Sequence, residues 1–172
     1  MNRKKIKLYS LLAFMFASTL VLSGCGEQAA QKTSEKTAEK IIEKQIGGNA
    51  DVDIDENNIK METDQGSMEV GENVKLPADF PSDVYVVDGK LLSVFSDKTN
   101  NSHMVTLETE KSMEDASSAY QTELAAKGWE ITGTIAIGDS TSIIAEKDAR
   151  TVSVSISKGD DATTIILSAG NK

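Results

Sequence analysis

Three features of this 172-residue chain hold side chains that could do chemistry. The first is Cys25, the only cysteine, in the run Leu22-Ser23-Gly24-Cys25. A thiolate is a nucleophile and a metal ligand, and a thiol in this position can also be modified. No second cysteine can pair with it, and a zinc site built on His and Cys is excluded by count. The second feature is Asp51-Val52-Asp53-Ile54-Asp55, with Glu62 at position twelve counted from Asp51. That is the spacing of an EF-hand calcium loop. Position six, however, is Glu56, where the loop needs glycine for its sharp turn. The residues that follow alternate as a strand. A strand with its acids in water and Val52 and Ile54 facing in accounts for the pattern better. The third feature is His103, the only histidine. A Ser-His-Asp device would have to use it, but no G-x-S-x-G elbow accompanies it. It lies in a polar stretch just before a strand and reads as a surface residue. Tyr120 and Trp129 resemble a ligand box, but Tyr120 shares a helical stripe with Leu124 and Trp129 directly follows the helix end. They read as a contact joining helix to sheet.

The residues before Cys25 give the thiol its context. Arg3, Lys4, Lys5 and Lys7 form a basic start, and residues 8–22 are apolar apart from Ser10, Ser18 and Thr19. This is the charged-then-apolar pattern of a signal peptide. As a helix the apolar run would span roughly 22 Å at about 1.5 Å per residue. A hydrocarbon core is about 30 Å thick, so a retained transmembrane anchor is the weaker reading. The run Leu22-Ser23-Gly24-Cys25 resembles the lipobox of bacterial lipoproteins. The resemblance implies a diacylglyceryl group on the Cys25 sulfur, cleavage between Gly24 and Cys25, and a domain held at the extracytoplasmic face of the cell membrane. Two acyl chains on one residue suffice for stable anchoring without a basic patch.

Charge bounds the partners. The chain carries 18 Lys+Arg against 27 Asp+Glu, a formal charge of −9. Loss of residues 1–24, which hold four cations and no acid, takes it to −13. So acidic a chain is repelled by nucleic acid and by anionic lipid. The expected membrane contact is the lipid on Cys25, and nucleic acid is not a partner.

Behind the thiol, residues 25–48 form a polar tether. Residues 26–40 lack aromatics and large aliphatics and cannot offset their ordering entropy by burial. Residues 34–46 form a possible short helix, with Ser34 as N-cap and Ala38, Ile41, Ile42 and Ile46 on one face. Residues 49–76 alternate with period two and turn at Asp64-Gln65, which predicts a small antiparallel meander. They could join a larger sheet or form their own lobe. Residues 75–83 hold both prolines and mark a boundary or rigid crossover.

Residues 77–172 read as one α+β domain. Strands are expected at residues 84–87, 90–95 and 104–109, with Asp88-Gly89 turning between the first two. Ser112 opens a helix, Met113, Ala116, Tyr120 and Leu124 form its apolar stripe, and Gly128 closes it. Four more strands follow at 130–137, 142–146, 151–157 and 163–168. On the third of these, Val152, Val154 and Ile156 alternate with Thr151, Ser153, Ser155 and Ser157, so its other face is wet or lightly covered. The expected fold is therefore an antiparallel sheet with one main helix packed on one face, preceded by signal peptide, tether and meander.

No catalytic, cofactor-binding or metal-ligating constellation emerges. The segments LPADFPSDV and YQTELAAKGWEI resemble those of small uncharacterised bacterial lipoproteins, and the lysine-rich start suggests a Gram-positive source. The expected function is that of a non-enzymatic lipoprotein whose domain binds an envelope protein or component. The alternative is a small-ligand or metal-ion sensor or scavenger.

Overall fold

The computed structural model describes residues 37, 38, 40, 41 and 50–172. The expected signal peptide, the lipidation site Cys25 and most of the tether lie outside those residues. Thr37, Ala38, Lys40 and Ile41, within the expected short helix, are helical. Among the described residues no helix is long and apolar enough to cross a membrane.

Nine antiparallel strands form one sheet. In chain order they are β1 (Asp51–Ile54), β2 (Asn58–Thr63), β3 (Gly66–Gly71), β4 (Lys90–Asp97), β5 (Ser102–Thr109), β6 (Glu130–Ile137), β7 (Ser140–Lys147), β8 (Arg150–Lys158) and β9 (Thr163–Asn171). One helix, α1 (Met113–Ala126), separates β5 from β6. The spatial order is β1-β2-β3-β4-β5-β9-β8-β7-β6. Two meanders are therefore fused at the centre, where β9 returns to pair with β5. The meander expected at residues 49–76 joins the main sheet through β3 against β4, so the protein is richer in sheet than an ordinary α+β domain.

Two local signals fix α1. The Ser112 hydroxyl accepts a hydrogen bond from the Asp115 amide at 3.0 Å and donates to the Asp115 carboxylate at 2.9 Å. At the other end Gly128 takes φ +82°, and the Gly128 and Trp129 amides donate to Ala125 and Leu124 carbonyls at 3.0 Å. Only glycine adopts that left-handed backbone without cost. Ser112→Ala should cost about 1 kcal/mol of stability, the usual worth of an N-cap. Urea unfolding of the two proteins measures it.

The helix packs on β6, β7 and β8. Its buried residues Ala116, Tyr120 and Leu124 meet Ile143, Val152 and Val154 of the sheet, and Val105, Leu107, Ile165 and Leu167 extend the core across β5 and β9. Each of these larger side chains contributes about 1.5–3 kcal/mol by leaving water.

Residues 84–87 do not form the expected strand. Val84 and Val87 are buried in the core instead, and the Val84 amide donates to the Pro81 carbonyl at 3.0 Å in a turn. Tyr120 supplies the Val87 amide with an acceptor at 3.4 Å. Their apolar character is used by packing alongside the helix, where no neighbouring strand could satisfy them. Asp88-Gly89 consequently leads into β4 and turns no hairpin.

His103 is likewise not a surface residue. It is 5% exposed and occupies the inward position of β5 two residues before Val105. Its Nδ1 lies 2.9 Å from the Ser96 hydroxyl, directly across on β4, and the edge of the Phe80 ring covers it at 5.5 Å. The polar neighbours Ser102 and Asn101 hid a period of two that runs back from Leu107 through Val105 to His103.

Candidate functional site

A strand alternates its side chains between two faces, so the register decides what each face of the sheet presents. On β5 the inward positions are His103, Val105, Leu107 and Thr109, all buried. Met104 and Thr106 therefore point to the face opposite the helix. From Met104 a row of direct partners runs through Phe95, Met68, Met61 and Val52 in one direction. In the other it runs through Ser168, Ser153 and Ile144. From Thr106 the next row runs through Ser93, Val70, Ile59 and Ile54, and on the other side through Ile166, Ser155, Ser142 and Ile135.

Neither row contains a charged residue. In a chain with 26% charged residues that is an unusual surface. It is open at Phe95, Met104, Ile166 and Ile135, which are 46, 47, 44 and 57% exposed, whereas Val52 at its β1 end is buried. An exposed apolar patch of this extent marks a contact site more often than an accident of composition. Serine and threonine fill the positions between, as the expected wet face of β8 required.

The first three strands invert the usual arrangement. Asp51, Asp53, Lys60, Glu62 and Glu69 lie on the helix side of the sheet, whereas Val52, Ile54, Ile59, Met61, Met68 and Val70 lie opposite. The alternation of the meander was legible, but its apolar side adds to the open face and not to the core. The acids of the calcium-like spacing accordingly spread along a strand. Asp51 and Asp53 are exposed on β1, Glu62 lies 3.2 Å from Lys60, and Asp55 caps a turn by accepting from the Asn57 and Asn58 amides at 2.9 and 2.8 Å. Among the described residues no three His, Cys, Asp or Glu side chains converge on a point.

The open face is hollowed at one end. A groove of about 380 Å³ is floored by Met61, Met68 and Phe95 and rimmed by Gln65, Asp97, Thr99 and Asn100. Asp97 shapes the rim. It accepts from the Asn100 side-chain amide at 2.6 Å and from the Thr99 and Asn100 backbone amides at 2.8 and 3.1 Å. These bonds, the Asn100 side chain foremost, hold its carboxyl below the usual carboxylate range. Gly66 lies beside this rim because an added Cβ would fall 2.0 Å from the Ser96 carbonyl oxygen.

Two other polar constellations are built differently. Ser96 and His103 stand at hydrogen-bond distance as a nucleophile and base would, yet Ser96 is 2% exposed and His103 5%. Both side chains are buried, and the Phe80 ring packs against His103. The second is a charged cluster that fastens residues 77–87 to the sheet. Arg150 donates both arms of its guanidinium to Asp83 at 2.9 and 2.6 Å, and Lys147 adds a bond at 2.8 Å. The Trp129 indole donates to the Asp83 carbonyl at 2.7 Å, and Arg150 stacks 5.0 Å from its ring centre. Trp129 and Tyr120 thus serve the junction of helix, crossover and sheet.

Residues 91–164 match the model of a START domain-like family. The match runs from β4 into β9, with α1 and much of its core between. No curated protein and no solved structure matches the chain. The match covers less than half of the chain, and the similarity suggests a binding module.

Proposed function

We propose that this chain is an extracytoplasmic lipoprotein, anchored through a diacylglyceryl group on Cys25, whose domain is a non-enzymatic binding module. The open face of the sheet is its contact surface. The observation that supports this reading is the pair of uncharged rows, one crossing eight strands and the other all nine, on which Phe95, Met104, Ile166 and Ile135 are about half-exposed. Burying such a surface gains about 25 cal/mol per Å² of apolar area and strands no charge away from water.

The reading has two separable parts. For the anchor, Cys25→Ser should move the protein from the membrane pellet to the soluble fraction, and continued sedimentation with membranes would contradict it. For the contact surface, Met104→Glu should abolish co-purification of envelope components with the tagged chain. Retained co-purification would contradict it.

A second reading draws on the groove. Its Met61, Met68 and Phe95 floor suits a small apolar ligand with one polar end facing Asn100 and Gln65. The START domain-like match favours this reading. A ligand of that kind should raise the melting temperature of the wild type, and Met68→Glu should remove the rise.

A further inference from the structure

We propose that Met104, Met68 and Met61 are sites of reversible oxidation by a hydroperoxide, and that their sulfoxides switch the open face from binding to non-binding. This rests on the reading of the face as a contact surface and names what regulates it.

Placement is the first argument. The chain has six methionines. Met1 and Met15 precede Cys25 and leave with the signal peptide. Three of the other four stand side by side, with Met61 opposite Met68, Met68 opposite Phe95, and Phe95 opposite Met104. Met113 alone lies elsewhere, on α1 against the core. Met104 is 47% exposed. Met61 and Met68 are half-buried, and both line the groove beside Phe95. Oxidation of a side-chain sulfur follows its exposure. Cys25 is the chain's one thiol, and acylation removes it as a redox group. The thioethers are then the sulfur left to respond to an oxidant.

Chemistry is the second. A thioether lone pair attacks one oxygen of hydrogen peroxide. The S–O bond forms, the O–O bond breaks, the sulfur loses two electrons, and the other oxygen leaves as water. A flexible apolar side chain becomes a polar one. The thioether contact with an aromatic ring is also lost. The two central rows carry no charge, so apolar side chains are what they offer a partner. One sulfoxide buried there without a hydrogen-bond donor should weaken binding by roughly tenfold. None of the three methionines belongs to the buried core, so the fold survives the change. A sulfoxide reductase supplied with a dithiol reverses it, with the oxygen released as water and the dithiol oxidised to a disulfide.

The test uses the tagged full chain isolated from cells exposed to hydrogen peroxide. Peptide mass spectrometry should find one added oxygen at Met104 first, then at Met68 and Met61, with Met113 last, and should find the sulfoxides gone after recovery without oxidant. Co-purification of envelope components should fall roughly tenfold on oxidation. Methionine sulfoxide reductase with dithiothreitol should restore it. A variant combining Met61→Leu, Met68→Leu and Met104→Leu roughly conserves volume and should keep its co-purification with or without peroxide. Thermal melts of oxidised and untreated wild type should coincide. Oxidation of Met113 as fast as Met104 would overturn the proposal. So would co-purification that peroxide leaves unchanged in the wild type or abolishes equally in the triple variant, or a lowered melting temperature on oxidation. A wild type that captures nothing even before oxidation would sink the contact-surface reading and the switch with it, while reversible oxidation led by Met104 would still establish the modification site.

Discussion

Asp83→Asn is expected to lower stability by about 3 kcal/mol at neutral pH and to flatten the acid limb of the stability curve. The carboxylate takes three charge-assisted hydrogen bonds from Arg150 and Lys147. Hydrogen bonds to charged groups are worth about 1.5–3 kcal/mol each. Their sum is reduced because the Asp83 side chain is 28% exposed and solvent screens it. The pH dependence follows from the same contacts. The Arg150 guanidinium, bound in a fork, holds the Asp83 carboxyl far below the usual carboxylate range. A group whose folded pKa is depressed stabilises fully above its unfolded pKa, near 4, and loses that stabilisation as pH falls toward the folded value. The wild-type advantage over Asp83→Asn should thus be whole at pH 7, shrink below about pH 4, and be mostly gone under strongly acidic conditions. Urea titrations at pH 7, 5 and 3 measure it. An unchanged difference across that range would show that the carboxylate's charge is not what holds the crossover. Arg150→Met with Asp83→Asn, in a double-mutant cycle, gives the coupling directly.

Tyr120→Ala should be the most damaging single core change, at about 3–5 kcal/mol, the range for emptying a large aromatic site. Tyr120 is fully buried at the middle of α1 and meets the Tyr85 ring edge-on at 5.2 Å. It therefore joins three layers at once, namely the helix, the sheet and residues 84–87. Tyr120→Phe keeps the packing and removes only the long bond to the Val87 amide, at a cost of about 1 kcal/mol. A ratio near unity between the two substitutions would show that the site collapses around the missing ring.

Much of this architecture could be read from neighbouring residues. Ser112, Asp115 and Gly128 mark both ends of α1 within the helix itself, and the alternation of Val152, Val154 and Ile156 orients β8 by itself. Strand β6 falls at the expected residues because Trp129 and Gly138 bracket it. Local pattern failed where the deciding partner lies far along the chain. Residues 84–87 look like a strand, but Tyr120 claims them through Tyr85 and Val87. His103 sits among polar residues, and its burial depends on Ser96 and Phe80. Asp83 and Arg150, 67 residues apart, give no sequence sign of their fork.

The candidate site was half legible for the same reason. The serines of β8 and the alternation of β1 to β3 were evident one strand at a time. Their union into one neutral face requires the order in which β9 returns to β5 and β3 meets β4. Alternation shows that a strand has two different sides. It cannot show which side the helix will cover, and here the apolar side of the meander faces away from it.

Site-specific photocross-linking in intact cells tests the central claim most directly. A photoreactive phenylalanine at Ser155, in the middle of the open face, should give a discrete adduct on illumination, and the same group at Ala125 on α1 should give none. An adduct of twice the chain mass identifies a second copy, and any other discrete mass identifies a different protein on the same face. Absence of an adduct at Ser155, or equal adducts at both positions, would contradict the account of the sheet face as the binding surface.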